Sequence, residues 1–144
     1  MEKTKFAIKT FTEGKNCAQS VLLSFADELK LDKSVAEQLT SGLGAGMGRL
    51  HKTCGAVNGS FMVIGRYYCL NVANQQEKAD KINLKIQQLE ADFVKKFGSS
   101  DCGALINTDL KTEEGRLYFN EENLKENICN NCVGYCVDWL VENL

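Results

Sequence analysis

Apolar residues recur every three or four positions along most of this chain, which is the pattern of amphipathic helices. The pattern predicts helices over 1–13, 17–29, 54–71, 74–97 and 121–144, and a shorter one that Asp32 caps. The clearest stripe consists of Ala79, Ile82, Ile86, Leu89, Phe93 and Phe97. Periodicity is lost from Gly98 to Asn120, which predicts an irregular loop. We therefore expect an all-α bundle of five or six helices.

A glycine-rich loop precedes the predicted central helix at 54–71 and contains Gly42, Gly44, Gly46 and Gly48. Glycine permits positive φ and close approach to another surface. Thr53 is the predicted N-cap, so that Cys54 begins the helix. A thiol in the first turn faces unpaired N–H groups and the positive end of the helix dipole, and both favour the thiolate. Farther along this helix, Gly55 and Gly59 predict close packing of another helix inside the core.

Composition narrows the class of protein. The chain has 144 residues, a net charge of −2 and no proline, which fits one helical domain over residues 1–144. The absence of a basic surplus argues against nucleic acid as a partner. No apolar run is long enough for a membrane span, and the first residues lack the apolar core of a secretory signal. We expect a cytoplasmic protein.

Seven cysteines are the unusual feature of the composition. An odd number argues against a complete disulfide framework, and clustered cytoplasmic cysteines more often bind metal or do redox chemistry. Cys129 and Cys132 form one C-x-x-C pair, but zinc sites usually need a second pair or two histidines. The glycine loop matches neither a dinucleotide-binding fingerprint nor a P-loop. The cysteines are therefore the candidate chemistry.

The cysteines differ in their predicted surroundings. Asn16 is a predicted N-cap, so Cys17 lies at the start of a helix, as Cys54 does at the start of another. This position should lower the pKa of each thiol. Cys102 falls in the irregular stretch, and Cys129 or Cys132 lies on the last helix. Cys69 and Cys136 lie among apolar residues and are predicted to be buried without chemistry. The lone histidine, His51, lies between Arg49 and Lys52, so we expect it to be exposed instead of catalytic.

The spacing of these cysteines resembles a known family. The resemblance rests on four segments: GKNCAQSVLLSF, GLGAGMGRLHKTCGAVNGSFMVIG, CGALINTDLKTEEG and the terminal C-x-x-x-C-V-D-W-L. They are similar to the redox-active four-cysteine family labelled C_GCAxxG_C_C, whose Gly-Cys-Ala corresponds here to Cys54-Gly55-Ala56. The resemblance implies site cysteines at Cys17, Cys54, Cys102 and Cys132, with Cys129 as the substitute for Cys132.

Two classes of function follow. In the first, the four cysteines converge and act in thiol–disulfide or electron-transfer chemistry. They would work either as a dithiol, with Cys54 attacking and Cys17 as one candidate resolving partner, or as ligands to an iron–sulfur cluster, zinc or another metal. In the second, the protein is a non-catalytic metal- or small-ligand-binding module with structural cysteines. The stripe on 74–97 is compatible with a homodimer or with burial inside one chain, and the redox partner or ligand is not specified.

Overall fold

A computed structural model describes residues 2–144, which form eight α-helices and no strand. The helices are α1 (Glu2–Thr12), α2 (Cys17–Ser24), α3 (Lys33–Leu39), α4 (Gly55–Asn71), α5 (Gln75–Phe97), α6 (Cys102–Ile106), α7 (Glu113–Glu121) and α8 (Asn130–Asn143). The all-α class is confirmed, but the prediction of five or six helices was too low. None of the helices within 2–144 has the length and apolar character needed to cross a membrane.

Polar caps fix the starts of α2, α3 and α5; the caps of α2 and α3 were predicted from the sequence, whereas Asn74 was predicted to be the first residue of α5 and is its N-cap. Asn16, Asp32 and Asn74 each accept a hydrogen bond from a backbone N–H three residues later. Asn16 also forms a capping box with Gln19, whose side chain accepts from the Asn16 N–H. These caps set the position of Cys17 at the first residue of α2.

Three predicted boundaries were wrong. Cys54, and not Thr53, is the N-cap of α4, because Thr53 pairs in an isolated antiparallel bridge with Asp101. α2 ends at Ser24 and not at 29, although the following turns remain packed in the core. The predicted final helix is interrupted by a left-handed residue, Asn123, and by a π-helical turn at Lys125–Cys129. π-Helical turns are rare and often occur at functional sites.

The packing of α2 on α4 depends on the two glycines that the sequence singled out. A Cβ atom at Gly59 would lie 2.8 Å from the carbonyl oxygen of Ala18. One at Gly55 would lie 3.1 Å from the Cys17 sulfur. Close internal packing at both positions is therefore confirmed, and it brings the starts of the two helices together.

The last helix, α8, is fixed against α5. The Trp139 indole N–H donates to Asp92 at 2.8 Å, and the Tyr135 ring packs edge-on against Phe93 and Phe97. Only part of the predicted α5 stripe is buried: Leu89 and Phe93 are fully enclosed, whereas Ala79 is exposed. The C-terminal part of α5 thus anchors α8 and, with it, Cys132.

Candidate functional site: a cysteine-lined cavity

The glycine loop forms a strained left-handed turn beside the cysteines. Residues 45–49 all have positive φ, including the non-glycine residues Ala45 (52°), Met47 (68°) and Arg49 (62°). The backbone strain is of order 1–2 kcal/mol for each non-glycine residue. Glycine is required at Gly46, where a Cβ would lie 2.5 Å from the Lys52 nitrogen. The sequence predicted that the loop glycines would adopt positive φ or approach another surface closely; Gly46 and Gly48 have positive φ, whereas Gly42 and Gly44 do not. It gave no sign of positive φ at the residues between the glycines.

The end of this loop pairs with the chain before α6. The Cys54 N–H donates to the Ser100 carbonyl at 2.7 Å, and the Cys102 N–H donates to the Lys52 carbonyl at 2.6 Å. This pairing places the starts of α4 and α6 side by side. Cys102 therefore begins a short helix, whereas the sequence placed it in an irregular loop.

Five cysteines line one cavity of about 210 Å³. They are Cys17, Cys54, Cys102, Cys129 and Cys132. Apolar side chains form most of the remaining wall, among them Phe11, Leu105, Ile106, Leu110, Phe119 and Ile128. The cavity thus brings together Cys17, Cys54, Cys102 and Cys132, the four cysteines proposed from the sequence. It also includes Cys129, which was proposed as the alternative to Cys132. Lys125 also lines the cavity, and no local pattern in the sequence had singled it out.

Cys54 is the cysteine whose thiolate the site stabilises. A hydrogen bond from the Cys132 thiol, opposed in part by burial, lowers the pKa of Cys54. The backbone N–H groups of Ala56 and Val57 lower that pKa further, although neither makes a cap hydrogen bond of ordinary geometry. The same hydrogen bond, together with burial, raises the pKa of Cys132 far above its ordinary value. Cys132 thus acts as the hydrogen-bond donor and Cys54 as the acceptor. The sequence predicted a lowered pKa for Cys54 from its helix start, but it did not predict the contribution of Cys132.

The other thiols of the cavity are held neutral. Burial raises the pKa of Cys17 to about 12 and that of Cys102 to about 12, and the negative charge on Cys54 adds to both shifts. Burial, together with electrostatic interactions with the neighbouring cysteines, also raises the pKa of Cys129. The predicted thiolate at Cys17 was therefore wrong: a hydrogen bond from the Ala45 backbone N–H favours the anion, but loss of water outweighs it.

Cys69 and Cys136 lie outside the cavity and have opposite surroundings. Cys136 is fully buried, as its apolar surroundings predicted, and burial raises the pKa of its thiol. Cys69 is exposed on α4, so the prediction of burial was wrong. The face of α4 that carries Cys69 has no helix packed over it at this point, and the local apolar sequence gave no sign of that.

His51 holds a loop over the cavity without lining it. Its side chain is only 11% exposed, contrary to the expectation of an exposed residue. The imidazole Nε2 accepts from the Leu110 N–H at 3.1 Å, and the Arg116 guanidinium donates to the Leu110 carbonyl at 2.9 Å. Both the backbone N–H and the carbonyl of Leu110 are thus hydrogen-bonded. The side chain of Leu110 forms part of the cavity wall.

The cysteines do not form a ready metal site. A tetrahedral zinc site or an iron–sulfur cluster needs several thiolate ligands directed at one centre. In the described part of the chain, no three cysteine, histidine or acidic side chains lie close enough together to hold one ion. No disulfide joins any of the seven cysteines.

Comparison with known proteins identifies the family. Neither a curated protein nor a solved structure matches the chain. A family model described as "Putative redox-active protein (C_GCAxxG_C_C)" matches residues 15–143, a range that includes all seven cysteines. The chain therefore belongs to the C_GCAxxG_C_C family, as the spacing of its cysteines predicted.

Proposed function

We propose that this protein is a thiol–disulfide redox protein in which Cys54 attacks and Cys132 resolves. The observation that carries the proposal is that these two thiols line one cavity, where hydrogen bonding with Cys132 lowers the pKa of Cys54. A dithiol needs an attacking sulfur that is ionised and a partner that reaches it. The lowered pKa of Cys54 and the family's description as redox-active support the same assignment.

The reaction follows from the two thiols. The Cys54 thiolate attacks one sulfur of a substrate disulfide, which forms a mixed disulfide and releases the other half as a thiolate that takes up a proton. The Cys132 thiol then loses its proton and attacks the Cys54 sulfur, so the second half leaves as a thiol. The substrate disulfide gains two electrons and two protons. The Cys54–Cys132 pair loses the two electrons and the proton of Cys132, and the second proton comes from solvent because Cys54 starts as a thiolate. Every step is reversible, so the direction depends on the potential of the substrate.

Hydrogen bonding favours Cys132 over Cys17 as the resolving partner. The Cys17 sulfur is engaged by the Ala45 N–H and touches the start of α4, where a Cβ at Gly55 would meet it. Cys132 is the cysteine whose hydrogen bonding lowers the pKa of Cys54, and both thiols line the same cavity. We therefore assign to Cys132 the attack on the mixed disulfide that a substrate sulfur forms with Cys54.

The neutral thiols of Cys17, Cys102 and Cys129 complete the wall of the site in this proposal. Their raised pKa values keep a second negative charge away from Cys54. The site then contains one thiolate in apolar surroundings, where its charge is balanced by hydrogen bonds and by the start of α4.

Trapping the mixed disulfide tests the assignment. With hydroxyethyl disulfide as substrate, the Cys132→Ser variant should accumulate a stable adduct on Cys54, whereas wild-type protein should pass through it and release both thiols. Cys17→Ser is the matched control and should behave as wild type. Mass mapping of the adduct measures the result. An adduct that persists in Cys17→Ser and not in Cys132→Ser would exchange the roles of the two residues.

A further inference from the structure

The site is closed to large substrates, and this inference rests on the proposed function. Cys54 is 7% exposed and Cys132 is 2% exposed, and both face the cavity. To react with Cys54, a substrate sulfur has to pass into the cavity, which disfavours a disulfide that is fixed on the surface of a folded protein. The substrate must therefore enter a space of about 210 Å³. Only a small molecule satisfies that condition.

The cavity has one charged side chain among its described lining residues, Lys125. Its ammonium lies 4.6 Å from the centre of the Phe11 ring, which also lines the cavity. Within residues 2–144, no carboxylate lies within ion-pairing distance of Lys125. Lys125 also lies one turn before Cys129 and lowers the pKa of that thiol, although burial outweighs it. The cation is thus held at the cavity and has no anionic partner.

We infer that the cavity binds a small aliphatic disulfide that carries a carboxylate or another anionic group, and that Lys125 recognises this group. The apolar walls and neutral thiols accept the hydrocarbon and sulfur part of such a molecule. The ammonium of Lys125 gives the anionic end a charge-assisted hydrogen bond. The disulfide bond can then lie next to Cys54, and it reacts there by the two exchanges described above.

Three disulfides of similar size and different charge test this inference: dithiodipropionate, which is anionic, hydroxyethyl disulfide, which is neutral, and cystamine, which is cationic. The measurement is the rate at which each one oxidises the Cys54–Cys132 pair. In Lys125→Met, the rate with dithiodipropionate should fall about tenfold relative to wild type, as expected for loss of one charge-assisted contact. The rate with hydroxyethyl disulfide should change less than about twofold, and that with cystamine should not fall.

Methionine keeps the length of the side chain over Phe11 and removes the charge, so a fall confined to the anion reports recognition. Lys96→Met is the matched control, because Lys96 is exposed on α5 and away from the cavity lining. Equal losses for all three disulfides, or no loss with dithiodipropionate, would overturn the role of Lys125. If none of the three oxidises the pair in wild-type protein, the proposed function itself fails, which is a distinguishable result.

Discussion

Hydrogen-bond donors reach the Cys54 sulfur from two elements. One donor is the Cys132 thiol from α8, and the others are the N–H groups of Ala56 and Val57 at the start of α4. The contribution of Cys132 is the largest of these. A thiol donor is therefore part of what makes Cys54 reactive, and its removal should be measurable in the reactivity of Cys54 alone.

Cys132→Ala should move the pH dependence of Cys54 alkylation by iodoacetamide to higher pH. The thiolate is the reacting form, so a lowered pKa places its reactivity at lower pH, and loss of the donor raises that pKa. Cys132→Ser keeps a donor and should shift the profile less. An unchanged profile in Cys132→Ala would show that the backbone N–H groups alone stabilise the thiolate.

Residue-scale prediction from sequence succeeded for Cys54 and failed for Cys17, although both lie at helix starts. The helix start is a local feature, visible in the sequence through caps such as Asn16. Burial and the charge of a neighbouring thiolate are set by tertiary structure, and for Cys17 they outweigh the local effect. Equal local signals can therefore give opposite pKa shifts.

At the scale of elements, the contact between α2 and α4 sets the geometry of the site. Gly55 and Gly59 allow the start of α2 to approach α4 so closely that Cys17 and Ala18 lie against them. This contact was predictable from the spacing of the two glycines, because small residues four positions apart share one helix face. It aligns the helix starts that carry Cys17 and Cys54.

Gly59→Ala should reduce the free energy of unfolding by about 1–3 kcal/mol, the usual effect of overpacking a core. The added methyl group would lie 2.8 Å from a backbone oxygen that cannot rotate away. Gly65→Ala is the matched control on the same helix: its Cβ meets nothing within 4 Å, so it should stabilise the protein by about 0.5–1 kcal/mol. Urea unfolding measures both. Equal effects at the two positions would contradict the close contact.

Other elements could not be predicted, for identifiable reasons. The short helix α6 is positioned by its pairing with the end of the glycine loop, through Cys102 and Lys52, which are far apart in sequence. The left-handed turn contains Ala45, Met47 and Arg49, residues with no intrinsic preference for positive φ. Both features depend on contacts between distant segments, so hydrophobic periodicity gave no sign of either.

At the scale of the whole molecule, the chain brings together cysteines from positions 17, 54, 102, 129 and 132 and lowers the pKa of one of them, Cys54. The sequence predicted the convergence of four of them through the family pattern, but it did not predict which pair would be in contact. A single domain, a cytoplasmic location and a homodimer all stay predictions. Cross-linking at Leu84 can test whether the protein forms a homodimer, because this residue on α5 is 53% exposed.

The central claim is that Cys54 and Cys132 form the redox-active pair. The measurement is peptide mapping of wild-type protein after oxidation by one equivalent of hydroxyethyl disulfide, with the remaining thiols alkylated after unfolding. We predict one disulfide, between Cys54 and Cys132, and five alkylated cysteines, which are the other members of the seven. A disulfide that joins Cys54 to Cys17 or to any other cysteine, or an oxidised protein in which Cys54 is still free, would contradict the account.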